Sequence, residues 1–301
     1  MDAKELRKSY VRRCPEACQG KALAGRSAGP SGFPMARRTR LGQHFLADSG
    51  YRRKIADSLE VSGEDWVLEV GAGRGELTEL IGRRARRVVA VELDGVLARK
   101  LREKFKTCEN IEIVNGNILD LDIRALVRGA PGRTCSVFGN LPYYITSPIL
   151  HHLLEGREAV RAMALLMQRE VAERVVSLDR GTGGADFGYL SVMVQLLARP
   201  RIRFNVPAGA FSPRPRVLSS LVEFRISPMF PDWTRDRTER FLEFVKRCFA
   251  QKRKSLLNNL AASDARGRVE AGLGRLGLPT NVRAEQVPIP RLASLFAELE
   301  I

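Results

Sequence analysis

From Asp65 onward the chain alternates short apolar runs with amphipathic stretches, and this rhythm restricts the fold more than any other feature of the sequence. Trp66-Val67-Leu68-Glu69-Val70, Val88-Val89-Ala90-Val91-Glu92, Ile111-Glu112-Ile113-Val114 and Cys135-Ser136-Val137-Phe138-Gly139-Asn140 read as buried strands. Between them Leu77, Leu80 and Ile81, then Val96, Leu97, Leu101 and Phe105, recur at helical spacing. Strands separated by helices connect through right-handed crossovers, which predicts a mostly parallel α/β sheet covered on both faces. Ala164-Leu165-Leu166-Met167 and Leu221-Val222-Glu223-Phe224 are expected as later strands.

After Pro228 and Pro231 the pattern is helical only. Phe241, Phe244, Val245, Cys248 and Phe249 share a face, and Leu256, Leu257 and Leu260 are expected to extend the same helix. Pro279, Pro288 and Pro290 divide the remainder of the chain into short helices such as 291–299. The expected organisation is a disordered extension over 1–36, an α/β domain over 37–230 and a helical domain over 231–301. Residues 1–34 hold seven Lys/Arg, three acids and no sustained apolar period, and Met35 is a plausible alternative start. The stretch around Leu23 is too broken for a secretory signal, and Asp2, Glu5 and Glu16 argue against an organelle transit peptide.

Composition narrows the function. No apolar run approaches the roughly 18 residues of a membrane-spanning helix. The five cysteines form no disulfide framework, which fits a reducing, cytoplasmic compartment, and Cys14 and Cys18 lack the matching pair a metal site needs. No metal is expected. Fifty Lys+Arg against 34 Asp+Glu give a formal net charge of +16, the balance of a protein with a polyanionic partner such as nucleic acid.

The first strand ends in Gly71-Ala72-Gly73-Arg74-Gly75, where glycine permits positive φ and close approach of backbone to a ligand. Glu76 stands where a dinucleotide fingerprint has its third glycine, and its charge opposes a pyrophosphate in the first helical turn. Glu92, ending the second strand, is the kind of acid that grips ribose hydroxyls. An adenosine-bearing cofactor without pyrophosphate, S-adenosylmethionine, satisfies these features. A nicotinamide-dependent oxidoreductase fails on Glu76.

The fourth strand ends in Asn140-Leu141-Pro142-Tyr143. The exocyclic amine of adenine is a poor nucleophile because its lone pair is delocalised into the ring. An Asn oxygen and a neighbouring backbone carbonyl can accept its two hydrogens and draw the nitrogen toward a tetrahedral geometry. Pro142 stiffens the turn that aims those acceptors, and Tyr143 offers a flat face on which a base stacks. Methyl transfer from a sulfonium then depends on positioning rather than on a strong base.

These segments occur in a telling order. Leu41-Gly42-Gln43-His44-Phe45-Leu46, the glycine turn, Glu92, Asn140–Tyr143, Phe211-Ser212-Pro213-Arg214-Pro215-Arg216-Val217 and Gln251-Lys252-Arg253-Lys254-Ser255-Leu256 come one after another along the chain. From about residue 37 to the end the chain resembles the ribosomal RNA small-subunit adenine N6-dimethyltransferases of the KsgA type. The resemblance implies a Rossmann-like class I methyltransferase sheet with a small C-terminal all-helical domain. It also implies dimethylation of two adjacent adenosines in the 3′-terminal hairpin of small-subunit rRNA. The expected substrate is an immature 30S particle, met in the cytoplasm by a monomer.

By the same resemblance His44 and Leu46 contact the methionine end of the cofactor, Gly71 lies beside it, Glu92 binds the ribose and Asn117 sits beside the adenine ring. Asn140 closes the site against the target amine, and Phe211 with Tyr143 sandwiches a flipped adenine. The family has an acid where Asn117 stands; an amide oxygen still accepts the adenine amino hydrogen, without charge assistance. His151 and His152 come after Pro148 on a helix and read as structural or surface groups. Arg214, Arg216, Arg247, Lys252, Arg253, Lys254 and the Arg37, Arg38, Arg40 cluster are candidates for a phosphate track. For Lys252–Lys254 the expectation is one charged helix face opposite an apolar one. Two alternatives share parts of this pattern: a 23S rRNA adenine methyltransferase of the macrolide-resistance type, and a noncatalytic 30S assembly factor.

Overall fold

In a computed structural model, which describes residues 44–130, 132, 134–177, 187–261 and 265–299, each apolar run becomes a strand. The extension over 1–36, Met35, Cys14, Cys18, the Arg37, Arg38, Arg40 cluster and Leu41–Gln43 lie outside these residues. In chain order come β1 (Phe45–Leu46), α1 (Ser49–Ala56), β2 (Trp66–Val70), α2 (Glu76–Gly82), β3 (Arg87–Glu92) and α3 (Gly95–Lys104). Then come β4 (Ile111–Asn115), α4 (Ile123–Leu126), β5 (Cys135–Asn140), α5 (Thr146–Glu155) and β6 (Val160–Gln168). Next are α6 (Arg169–Val176), α7 (Tyr189–Leu197), β7 (Ala198–Val206), β8 (Phe211–Ser212) and β9 (Ser219–Ile226). The chain then runs through α8 (Arg235–Cys248), α9 (Leu256–Leu260), α10 (Arg266–Arg275) and α11 (Ile289–Glu298).

Among the described residues the chain divides into two compact units, one within Met1–Met167 and Val206–Ser219, the other within Gln168–Asn205 and Ser220–Ile301. The single boundary expected at 230/231 does not coincide with this division, because the second unit takes α6, α7, β7 and most of β9 together with the last four helices.

In the first unit five parallel strands lie in the order β4-β3-β2-β5-β6. Chain order reverses between β2 and β5, and in such sheets ligands bind beyond the carboxyl ends of the strands at that point. Register fixes who meets there: Val70 pairs with Val91 and with Gly139, and Glu92 with Asn115. Residues 71, 92, 117 and 140, far apart in sequence, therefore emerge at one edge. Val67, Leu68, Val88, Val137 and Phe138 are fully buried beneath it. The small ladder of β1 on β8 is antiparallel, Phe45 opposite Ser212 and Leu46 opposite Phe211.

The second unit packs Phe241 and Phe244 of α8 against Phe296 of α11 at centroid separations of 5.5 and 5.6 Å, and Trp233 edge-on to Phe241 at 5.2 Å. Burying one such side chain contributes about 2–3 kcal/mol. One strand here was not foreseen, and one expectation fails. Ala198–Val206 was not foreseen as a strand; its exposed Arg199, Arg201 and Arg203 alternate with partly buried residues. The single helix expected over 241–260 is two helices. Ser255 adopts an extended conformation and its Oγ accepts from the Asn258 N–H, starting α9 afresh. Buried Asn259 holds the break, donating to the carbonyls of Cys248 (2.9 Å) and Gln251 (3.2 Å) and accepting from Gln251 N–H (3.1 Å). Lys252, Arg253 and Lys254 are exposed on the intervening turn rather than on a helix face.

Candidate active site

After β2 the backbone turns through Gly71, Gly73 and Gly75 at φ of 78°, 59° and 76°, conformations that favour residues without a Cβ. At Gly75 a Cβ would also lie 2.6 Å from Leu101 Cδ2. The Gly71 and Ala72 N–H groups both donate to the Val91 carbonyl, at 2.9 and 3.2 Å, which ties the turn to β3. A Cβ on Gly71 would point at the Asn140 carbonyl, 3.4 Å away, so glycine keeps this approach between β2 and β5 open.

Glu92 is 4 % exposed, and burial raises its pKa; Oε2 accepts from Gly73 N–H at 2.8 Å and Oε1 from Asp94 N–H at 2.9 Å. Asn115 supports it from β4, donating to the carbonyls of Glu92 (2.9 Å) and Leu93 (3.2 Å). Asn117 caps the next turn: its Oδ1 accepts from Leu119 N–H at 3.2 Å, and its Nδ2 donates to Asp120 Oδ2 at 3.1 Å. The carbonyl-type oxygen retains a second lone pair for another donor.

Asn140 Nδ2 donates to the His44 carbonyl at 2.8 Å, which commits the nitrogen and leaves Oδ1 as the accepting end of the amide. Leu141 N–H donates to the Leu166 carbonyl (3.0 Å), while the Pro142 carbonyl accepts from Ile145 N–H and Thr146 Oγ1, both at 3.1 Å. The turn is thus fixed from three sides. Tyr143 is stacked on His44 at 5.6 Å and 27°, and its hydroxyl is hydrogen-bonded to Ser219 Oγ at 2.6 Å. His44 in turn donates from Nδ1 to the Pro213 carbonyl at 2.8 Å, since a carbonyl can only accept.

These residues enclose an open crevice with about 830 Å³ of empty space, lined by His44, Gly71, Glu92, Asn117 and Asn140 through Tyr143, among others. Leu46 and Phe211 are not part of the lining. They face each other across the β1–β8 ladder and are 9 % and 4 % exposed, so the sandwich expected of Tyr143 and Phe211 is not assembled. His152 is structural, its Nε2 bonded to the Leu121 carbonyl at 2.9 Å, and His151 pairs with Glu155 at 3.2 Å. Arg214 and Arg216 are exposed and Arg247 is half-buried.

The model match covers residues 35–300, for the family described as ribosomal RNA adenine dimethylase. The chain belongs to this family. Two ribosomal RNA small subunit methyltransferase A proteins are similar to it. That of Acidobacterium capsulatum is 41% identical over 87% of this chain and 90% of its own length. That of Koribacter versatilis is 35% identical, over 88% and 95% respectively. Among solved structures, the 23S rRNA methyltransferase ErmE superposes with a TM-score of 0.64 at 29% identity, over 85% of this chain and 100% of its own. A dimethyladenosine transferase from Plasmodium falciparum gives 0.71 at 22% identity, over 86% and 99%, and supports the Rossmann-like fold.

For this adenine dimethylase family member, S-adenosylmethionine is the implied methyl donor, and the residues present fit it. The glycine turn leaves a face that side chains would fill, and each Glu92 oxygen keeps a lone pair for a ribose hydroxyl. Glu76 heads α2 with Arg52 as its ion partner at 3.4 Å, a terminus unsuited to a pyrophosphate. The sequence reading missed Glu69. This acid lies inside the otherwise apolar β2, is 1 % exposed, and is pushed up from 4.5 to about 8, chiefly by burial. Glu92 and Glu76 add to the shift, which the Thr78 hydroxyl and Lys104 only partly oppose. A carboxylate inside an apolar strand was the signal.

Proposed function

We infer that this chain uses S-adenosylmethionine to dimethylate the exocyclic N6 amines of two adjacent adenosines in the 3′-terminal hairpin of small-subunit rRNA. The observation that carries this reading is the meeting of Asn140 with the glycine turn and Glu92 in one crevice, reached from the ends of three strands. Relatives 41% and 35% identical bear the small-subunit name, whereas the large-subunit enzyme ErmE is 29% identical, which favours the small-subunit substrate.

When bound, the cofactor supplies a sulfonium methyl. Glu92 holds the ribose hydroxyls; Asn117 Oδ1 is placed for the adenine amino group, and His44 and Gly71 border the methionine end. Asn140 Oδ1 and the Leu141 carbonyl accept the hydrogens of the target amine, two before the first methylation and one before the second, which pyramidalises the nitrogen; each methylation releases one of these protons to water. Because His44 anchors the Asn140 nitrogen, the acceptor needs no reorganisation when the amine arrives. Tyr143, oriented by His44 and Ser219, supports the base.

Arg214, Arg216, Arg247 and Lys252–Lys254 are proposed as phosphate contacts, and residues 231–301 as the helical part that engages the ribosome. The formal charge of +16 supports a polyanionic substrate. The reading extends to an immature 30S particle, approached by a monomer in the cytoplasm. The test is labelled methyl transfer to unmethylated ribosomal subunits, with primer extension on both rRNAs. Stops at two adjacent adenosines near the 3′ end of small-subunit rRNA are expected. Stops in 23S rRNA alone would overturn the assignment.

A further inference from the structure

Five large hydrophobic side chains are exposed among the described residues, and three of them gather at one hydrogen bond. Tyr144 (59 % exposed) adjoins Tyr143, whose hydroxyl meets Ser219 Oγ at 2.6 Å; Leu218 (44 %) adjoins Ser219, with Val217 (43 %) before it. Tyr144 also lines the crevice. The loop carrying Val217 and Leu218 is tied to crevice residues at both ends, Pro213 to His44 and Ser219 to Tyr143. Pro213 and buried Pro215 restrict it further. Arg214 and Arg216 stand exposed on the same loop.

We propose that Tyr144, Val217 and Leu218 form an apolar rim that grips the RNA strand beside the target adenosine. Consecutive residues of the short 3₁₀ turn Tyr143–Ile145 point in directions about 120° apart. Tyr143 and Tyr144 therefore cannot serve one base, and Tyr144 is a platform for its neighbour. Val217 and Leu218 replace the stacking lost when the target leaves the strand, the role apolar wedges play at opened base steps. Arg214 and Arg216 hold the flanking phosphates, which is the charge complementarity that commits this rim to RNA. A loop pinned at both ends loses little freedom on binding, so its contacts are retained as affinity.

The inference rests on the proposed function, and its test separates the two. Val217→Ser with Leu218→Ser, and separately Tyr144→Ala, are assayed in the full chain on unmethylated small subunits, with cofactor binding followed by calorimetry. Each variant is expected to raise KM for the subunit roughly ten-fold, given the usual worth of one stacked base. Cofactor affinity and the slope of log KM against log salt should stay at wild-type values. Val217→Ile with Leu218→Met should restore KM, whereas Arg214→Ala with Arg216→Ala should lower the salt slope by about 2. Unchanged KM in both apolar variants, or a changed salt slope, overturns the rim. If the wild type methylates no small subunits, the function reading falls instead. The rim is then judged by salt-titrated binding of the same variants to those particles, where equal affinity refutes it.

Discussion

Replacing Glu69 by Gln tests the electrostatic state of the floor beneath the glycine turn. The folded protein keeps this carboxyl protonated to about pH 8, whereas the unfolded chain releases the proton near 4.5. Between those values the folded state binds more protons, so stability falls as pH rises. Glu69 therefore stabilises fully below pH 4.5, and its contribution is lost on the way to pH 8. A span of about 3.5 pH units corresponds to at most about 5 kcal/mol. Gln has nearly the shape of the neutral acid and cannot ionise in either state. The variant should gain on wild type by about 1 kcal/mol at pH 5 and about 4 kcal/mol at pH 8. Urea denaturation of both proteins at half-unit intervals measures the difference directly, and changes common to both proteins cancel. A difference that stays constant within about 0.5 kcal/mol from pH 5 to 8 would refute a neutral buried Glu69.

Asn140→Ala should cut methyl transfer by about 10²–10³ while leaving cofactor affinity within about three-fold, since the acceptor acts on the target amine; single-turnover rates and calorimetry check this, and a normal rate would defeat the mechanism. Gly75→Ala combines a left-handed backbone with a Cβ placed 2.6 Å from Leu101 and 2.8 Å from the Phe105 ring. It should cost about 2–5 kcal/mol, lowering the melting temperature by several degrees, and an unshifted melt would contradict the packing described.

The sheet was legible because β2, β3, β4 and β5 are apolar runs with clear helical spacers, and their edge residues Gly71, Glu92 and Asn140 carried the crevice with them. The features that escaped lay where local pattern and tertiary context disagree. Alternating arginines gave β7 the surface of a loop. Ser255 looks like a helix interior until Asn259 is seen gathering the Cys248 and Gln251 backbone. Phe211 has the composition of a base-stacking residue, but its pairing opposite Leu46 sends it inward. Glu69 was read as one more strand residue, because a buried acid leaves no periodic trace.

The two-residue strand β1 has a practical consequence. Phe45 lies against Gly73, where a Cβ would come within 3.2 Å of its ring, and carries Arg74 over its face at 4.6 Å. Its neighbour His44 reaches Pro213, Tyr143 and Asn140. His44 and Phe45 thus form part of the wall of the candidate site. Trimming the chain to α1 would remove that part of the wall together with the backbone carbonyl that holds the Asn140 amide.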